Sequence, residues 1–181
     1  MCLEAEGKLD EAQALYNGIL EEDDTNLMAS KRQIALLKAR GKLTEAVSAL
    51  TDFLDTYYDD HEAWAELCAL YLDQHHYEQA AFCCEELVLL QPANHIWILK
   101  YAEILYTLNN LPLALKHYCK VLELCTDNVR ALYGLQLCAS KLNAQHEHAS
   151  DLQALATERL LHVYGKEPNE VRTLVRDYLA S

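Results

Sequence analysis

The residues here that chemistry most often recruits are cysteines, histidines and carboxylates. Cys83 and Cys84 are adjacent, and neighbours on a helix point about 100° apart, so packing and surface is the expected role rather than a redox or zinc site. No C-x-x-C spacing occurs among Cys2, Cys68, Cys83, Cys84, Cys119, Cys125 and Cys138, and a zinc site needs clustered ligands. His75-His76 and His146-x-His148 fall in predicted turns without a cysteine nearby, which fits solvated turn residues. Carboxylates are plentiful, in Glu21-Glu22-Asp23-Asp24 and in Asp55, Asp59, Asp60, Glu62 and Glu66. General acid–base work needs a closed pocket that separates two pKa values, and these residues lie on predicted loops and helix starts. No Gly-rich phosphate loop, nucleophile elbow or H-E-x-x-H pattern is present. The expectation is a protein without catalytic residues, metal or cofactor.

The elements that carry these residues follow a fixed period. Ala12, Ala46, Ala80 and Ala114 stand 34 residues apart. Asn26, Asp60, Asn94 and Asn128 keep the same interval, each just before a helical pattern, where a side-chain oxygen can cap free N–H groups. Gly7, Gly41, His75, Asn109 and Asn143 form a third ladder, at points where one helix must end and the next begin. Gly, and less often Asn or His, tolerates the left-handed backbone of such a stop.

A 34-residue period is that of tetratricopeptide (TPR) helix–turn–helix arrays. In the clearest repeat, Trp64, Leu67, Cys68 and Tyr71 share one face of a first helix, and Ala80, Cys84 and Leu87 face them from a second, which Pro92 ends. The next repeat carries Ile98, Tyr101, Ala102 and Leu105, then Ala114, Tyr118 and Val121, with Pro112 in the first turn of its second helix. Gln33 interrupts the apolar face of the second repeat, and the fifth keeps Leu132 and Leu135. The fold expected is all-α, a TPR-type α-solenoid forming a right-handed superhelix of antiparallel helix pairs. Repeats are expected over 1–143, the first truncated and the fifth degenerate. Capping helices are expected over 144–181, one with Leu152, Leu155, Ala156, Leu160 and Val163 ending at Gly165, and a last one after Pro168 with Val171, Leu174, Val175 and Tyr178 on one side. Only Met1 to Gly7 precede the first turn, where a whole repeat places about twice as many, so the face of Leu9, Ala12, Leu15, Tyr16, Ile19 and Leu20 is expected to lack a full partner.

Composition narrows the function. The 181 residues carry a formal charge of −13, which opposes broad contact with nucleic-acid phosphates. A basic island, Lys31, Arg32, Lys38, Arg40 and Lys42, reads as ordinary helix-surface charge, the alternative being an acidic partner or lipid headgroups. No apolar run approaches the roughly 20 residues of a membrane span, and an odd number of cysteines, several on inward faces, fits a reducing compartment.

In a TPR array the first helices line the inner curve. The frame places Lys31, Lys38, Glu62, Leu72, Ile96, Leu99, Tyr106, Tyr133 and Leu137 there, the apolar members forming a row expected to bind protein. A carboxylate clamp of the chaperone-binding type does not fit. Lys31 and Lys100 match, but Ala35 and Glu66 stand where asparagines are needed and Ile96 replaces a lysine. An acidic residue inside the clamp would repel its acidic ligand.

Beyond the generic pattern, the sequence resembles the family of the second subunit of the ER membrane protein complex. The resemblance spans roughly Leu3 to Asn143. It rests on Glu62-Ala63-Trp64-Ala65-Glu66-Leu67, the run from Tyr77 to Leu87, Tyr101-Ala102-Glu103 and Arg130-Ala131-Leu132-Tyr133-Gly134-Leu135. It implies a non-enzymatic scaffold, peripheral on the cytoplasmic side of the endoplasmic reticulum membrane. Such a scaffold holds subunits of a membrane insertase together, including cytosolic segments of membrane subunits and an MPN-like cytosolic subunit, and supports insertion of tail-anchored and multi-spanning proteins. The alternative is a free cytosolic TPR adaptor that binds a peptide segment.

Small residues in the ladder imply close helix contacts. Ala80→Leu or Ala114→Leu is expected to overpack them and lower the unfolding free energy by ~1–3 kcal/mol, measured by urea denaturation; an unchanged midpoint would mean that the ladder does not mark helix contacts.

Overall fold

The computed structural model describes residues 2–142, 148–166 and 168–180. Among them all regular structure is helical: α1 (Cys2–Ala5), α2 (Leu9–Glu22), α3 (Leu27–Ala39), α4 (Leu43–Thr56), α5 (His61–Asp73), α6 (Tyr77–Leu90), α7 (His95–Thr107), α8 (Leu111–Leu124), α9 (Val129–Leu142), α10 (Ala149–Val163) and α11 (Asn169–Ala180), with one 3₁₀ turn, Tyr164–Lys166, after α10. The expected end of the repeats at Asn143 lies outside the described residues. By packing, the chain forms two compact units, Met1–Leu70 and Tyr71–Ser181.

The capping ladder starts the first helices. The side chain of Asn26 accepts from the Ala29 N–H at 3.0 Å, Asp60 from Ala63 at 2.9 Å, Asn94 from Ile96 at 3.1 Å and Asn128 from Ala131 at 3.0 Å. Each satisfies an amide that the helix itself leaves free. The turn ladder stops the same helices. Gly7, Gly41, His75 and Asn109 have φ of 76°, 73°, 59° and 60°. At each turn two backbone bonds close in the Schellman pattern. Gly41 N–H donates to the Lys38 carbonyl at 2.9 Å and Lys42 N–H to Leu37 at 3.0 Å; His75 donates to Leu72 at 3.0 Å and His76 to Tyr71 at 2.8 Å. The left-handed residue points the chain back, so the next helix starts antiparallel to the last.

In the first unit α2 packs on α3 and α3 on α4. The ladder alanines Ala12 and Ala46 lie buried there with Leu36, Leu50 and Leu54. In the second unit α7 packs on α6, α8 and α9, and α9 on α8 and α10. Its core holds Ala80, Cys84, Leu87, Ala102, Ala114, Val121, Leu132, Leu135 and Cys138, all at most 1% exposed. Cys83 is as deeply buried as Cys84, so α6 is enclosed on more than the one face that the period assigns to it.

α8 and α9 approach closely at Gly134, a residue whose role the period does not reveal. A Cβ on Gly134 would stand 2.3 Å from the ring of Tyr118, which is itself 3% exposed. With no side chain, Gly134 leaves that space to the Tyr118 ring.

The C-terminal helices depart from expectation in part. Ala156 and Leu160 of α10 are buried, but Leu155 is 46% exposed. α10 stops at Val163 and a 3₁₀ turn carries the chain through Gly165. On α11, Leu174 is 70% and Tyr178 52% exposed, so most of its apolar side lies open.

Two glycines inside helices should respond oppositely to alanine. Gly134→Ala must displace Tyr118 and is expected to cost ~1–3 kcal/mol. Gly18→Ala in α2, where nothing lies within 4 Å of the added atom, should stabilise by up to ~1 kcal/mol through helix propensity. Chemical denaturation of both variants checks this, and a shift of the same sign in both would contradict it.

Candidate protein-binding surfaces

The predicted first-helix residues divide between the two units. In the first, Lys31 and Lys38 project from α3 and both are engaged. Lys31 Nζ lies 2.5 Å from Asp60 Oδ2 and 3.0 Å from Glu62 Oε2; Lys38 Nζ lies 2.5 Å from Glu66 Oε1. These pairs join successive first helices, between residues 28 to 31 positions apart, somewhat short of one period. The second unit has one of the same kind, Arg130 to Glu103 at 2.7 Å.

Burial opposes charge on both members of the Lys31–Asp60 pair. The hydrogen bond between them, with attraction from Asp60 and Glu62 on the lysine and backbone N–H donors on the carboxylate, outweighs it. Lys31 is held above its ordinary 10.5 and Asp60 below its ordinary 3.8.

The rest of the basic island is also paired: Arg32 with Glu4, Arg40 with Asp10 at 2.7 Å and Lys42 with Glu45 at 2.9 Å. Each cation of the island is thus engaged within the chain. The sequence could not reveal this, because Glu4 and Asp10 lie 28 and 30 residues from their partners.

In the second unit the apolar row is uneven. Ile96 is 59% and Leu137 37% exposed, whereas Leu72 and Tyr106 are half-buried. The Lys141 ammonium sits 4.3 Å above the Tyr106 ring centre. Leu99 corrects the expectation: it is only 7% exposed. Three neighbouring helices leave α7 a narrow solvent-facing strip, and Leu99 falls outside it.

Tyr133 is half-buried beside the chain's own C-terminal part. Its ring meets Tyr178 of α11 edge-on at 6.1 Å. Desolvation first, and then a hydrogen bond with Tyr164, push its hydroxyl up to about 12.

Exposed apolar residues also occur where the frame did not place them. Phe82 and Leu89 on α6 are 56% and 69% exposed; their seven-residue spacing is the available signal. Leu15 and Ile19 on α2 are 59% and 40% exposed and line a cavity of about 230 Å³ with Cys2, Leu3, Ala12 and Tyr16.

The residues first considered for chemistry are scattered. All seven cysteines are free thiols. Burial raises Cys138 to about 11, which suits packing rather than nucleophilic attack. His75 Nδ1 lies 3.2 Å from the Tyr77 hydroxyl, serving its turn, and His146 lies outside the described residues. Among the described residues no three His, Cys, Asp or Glu are grouped to hold a metal, and no helix is long and apolar enough to cross a membrane.

Capped helix pairs in a 34-residue frame with apolar residues left open on their faces define a TPR repeat protein. Solved TPR structures support that class. A crystal structure of MamA protein superposes with a TM-score of 0.65 over 91% of this chain and 86% of its own, at 16% identity. A tetratricopeptide repeat protein from Parabacteroides merdae does so at 0.65 over 98% and 74%, at 17% identity. At these identities the likeness concerns fold alone.

The sequence goes further: the EMC2 TPR-like repeat domain family matches residues 1–116, and the chain belongs to that family. It is 43% identical over 137 residues to ER membrane protein complex subunit 2-A of Xenopus laevis, covering 74% of this chain and 46% of that protein. It is 37% identical over 147 residues to TPR repeat protein oca3 of Schizosaccharomyces pombe, covering 78% and 52%. The chain thus spans about half the length of the curated relatives it matches.

The Lys31–Asp60 pair carries a pH signature. Asp60's depressed pKa adds stability that is present above 3.8 and lost as pH falls through the folded value. Lys31's raised pKa adds stability that is present below 10.5 and lost as pH rises through its folded value. A double-mutant cycle with Lys31→Met and Asp60→Asn should give ~0.5–1 kcal/mol of coupling at neutral pH, vanishing in acid. Asp60→Ala should cost a further ~1 kcal/mol, because it also removes the cap that asparagine keeps. Equal losses for Asp60→Asn and Asp60→Ala would contradict the capping role.

Proposed function

We infer that this chain is a non-enzymatic scaffold subunit of the ER membrane protein complex. It sits peripherally on the cytoplasmic side of the endoplasmic reticulum membrane and supports insertion of tail-anchored and multi-spanning proteins by holding other subunits together. Its partners in this reading are cytosolic segments of membrane subunits and an MPN-like cytosolic subunit, without nucleic acid or a cofactor. The observation that carries the reading is the family match over residues 1–116. Ile96 and Leu137, exposed on first helices of the second unit, add a physical reason to expect a protein ligand, since apolar surface held open by a rigid scaffold gains most when another chain covers it.

Cross-repeat ion pairs support the same view. Lys31, Lys38 and Glu103 are committed to carboxylates or guanidinium groups of the chain itself. They stiffen the first helices, so contact with a partner falls chiefly to the apolar positions.

A tagged chain expressed in its own cells, with membranes solubilised in mild detergent, tests this. The insertase membrane subunits should co-purify, and Ile96→Asp with Leu137→Asp should reduce their recovery several-fold without changing expression. Recovery of cytosolic proteins alone, repeated with an upstream-extended version, would favour the free adaptor.

A further inference from the structure

Charge is unevenly spread along this chain. Residues 1–70 hold fifteen Asp and Glu against six Lys and Arg, a net −9 of the total −13. All six of those basic residues are in ion pairs, with Glu6, Asp60 and Glu62, Glu4, Glu66, Asp10 and Glu45. Asp24 and Asp52 belong to no ion pair among the described residues, and both line one cavity of about 470 Å³ between α2, α3 and α4.

The cavity exists for a reason visible in the repeat pattern. Gln33 stands where an apolar side chain would fill the space between α2 and α3. Its amide instead donates to Asn17 Oδ1 on α2 at 2.7 Å. What remains is a pocket with an apolar floor, Ile34, Leu37 and Phe53, and with Tyr57 at its side. The rings of Phe53 and Tyr57 pack 4.9 Å apart. No Lys, Arg or His lines the pocket; of its other polar groups, the Thr25 hydroxyl donates to Asp23, the Ser30 hydroxyl to the Asn26 carbonyl and the Gln13 amide to Asn17, which leaves the two carboxylates as its charged acceptors.

We propose that this cavity is a docking site for an arginine-bearing segment of a partner protein. An arginine side chain has the matching profile: an apolar stem that packs on Ile34 and Phe53, a planar cation that lies against aromatic rings, and a donor fork for carboxylates. The pocket falls in the volume range of roughly 300–1,000 Å³ that holds a small ligand or several residues of peptide. The volume leaves room for a residue flanking the arginine to enter with it. The site lies wholly within Met1–Leu70 and does not depend on the scaffold reading or on the residues tested for it.

Fluorescence anisotropy with the full chain and a fluorescein-labelled pentapeptide, a central arginine flanked by leucines, tests the proposal. Saturable binding is expected. It should weaken at least ~10-fold in the Asp24→Asn, Asp52→Asn double variant and to a similar degree when citrulline replaces arginine. A control double variant, Asp55→Asn with Asp59→Asn, makes the same charge change at exposed residues outside the pocket lining and should alter binding less than ~3-fold. Asp24 and Asp52 are themselves exposed, so thermal unfolding should be unchanged in all variants. No saturable binding, equal binding of the citrulline peptide, or equal losses in the two double variants would overturn the site, the last by reducing it to general charge attraction.

Discussion

Helix pairs in this protein approach through side chains of one carbon or none, and much else in the architecture follows from that closeness. Ala46, Ala80 and Ala114 have no solvent exposure and Ala12 only 2%; at Gly134 even a methyl group would collide with Tyr118. Such contacts admit few relative orientations of two helices, because a small shift either opens a void or forces overlap. The turns make the arrangement repeatable. A residue with φ near +60° to +76° stops α1, α3, α5 and α7, and an Asn or Asp cap starts the next first helix. Closeness sets the spacing, the turn sets the direction and the cap sets the register.

Much of this was legible in the sequence because each feature depends on residue type at a fixed interval. Alanine for contact, glycine, histidine or asparagine for the left-handed turn, and Asn or Asp for the cap are local requirements, and a 34-residue period repeats them. Gln33 was legible as an anomaly, and it marks a real cavity. What the period could not supply is the identity of contacts between residues a whole repeat apart. The pairing of Arg32 with Glu4 and of Arg40 with Asp10 depends on long side chains reaching across helices. Leu99 was misjudged for a related reason. Its place in the frame is that of an inner residue, but how widely α7 is covered by α6, α8 and α9 depends on side-chain sizes on all four helices. The exposed face of α11 lies beyond the periodic region, where no ladder guides the reading.

Charge and exposed apolar surface are distributed differently in the two units along the sequence. The first unit concentrates negative charge and spends its few cations on internal pairs. The second keeps a less charged surface, with Ile96, Leu137 and Leu89 open to solvent. Cys68, Cys83, Cys84 and Cys138 are buried in the helix packing, and His75 holds a left-handed turn.

The central claim is that partners are held by the faces of the first helices. Site-specific photo-crosslinking in detergent-solubilised membranes tests it most directly, with the reactive group placed at Ile96 or Leu137 on α7 and α9, and at Leu89 or Leu124 on α6 and α8. All four positions are exposed, so accessibility alone does not favour one set. The account predicts crosslinks to another protein from Ile96 and Leu137, and little from Leu89 and Leu124. Strong crosslinks from the second helices with none from the first would contradict it and move the binding surface to the opposite helices of each pair.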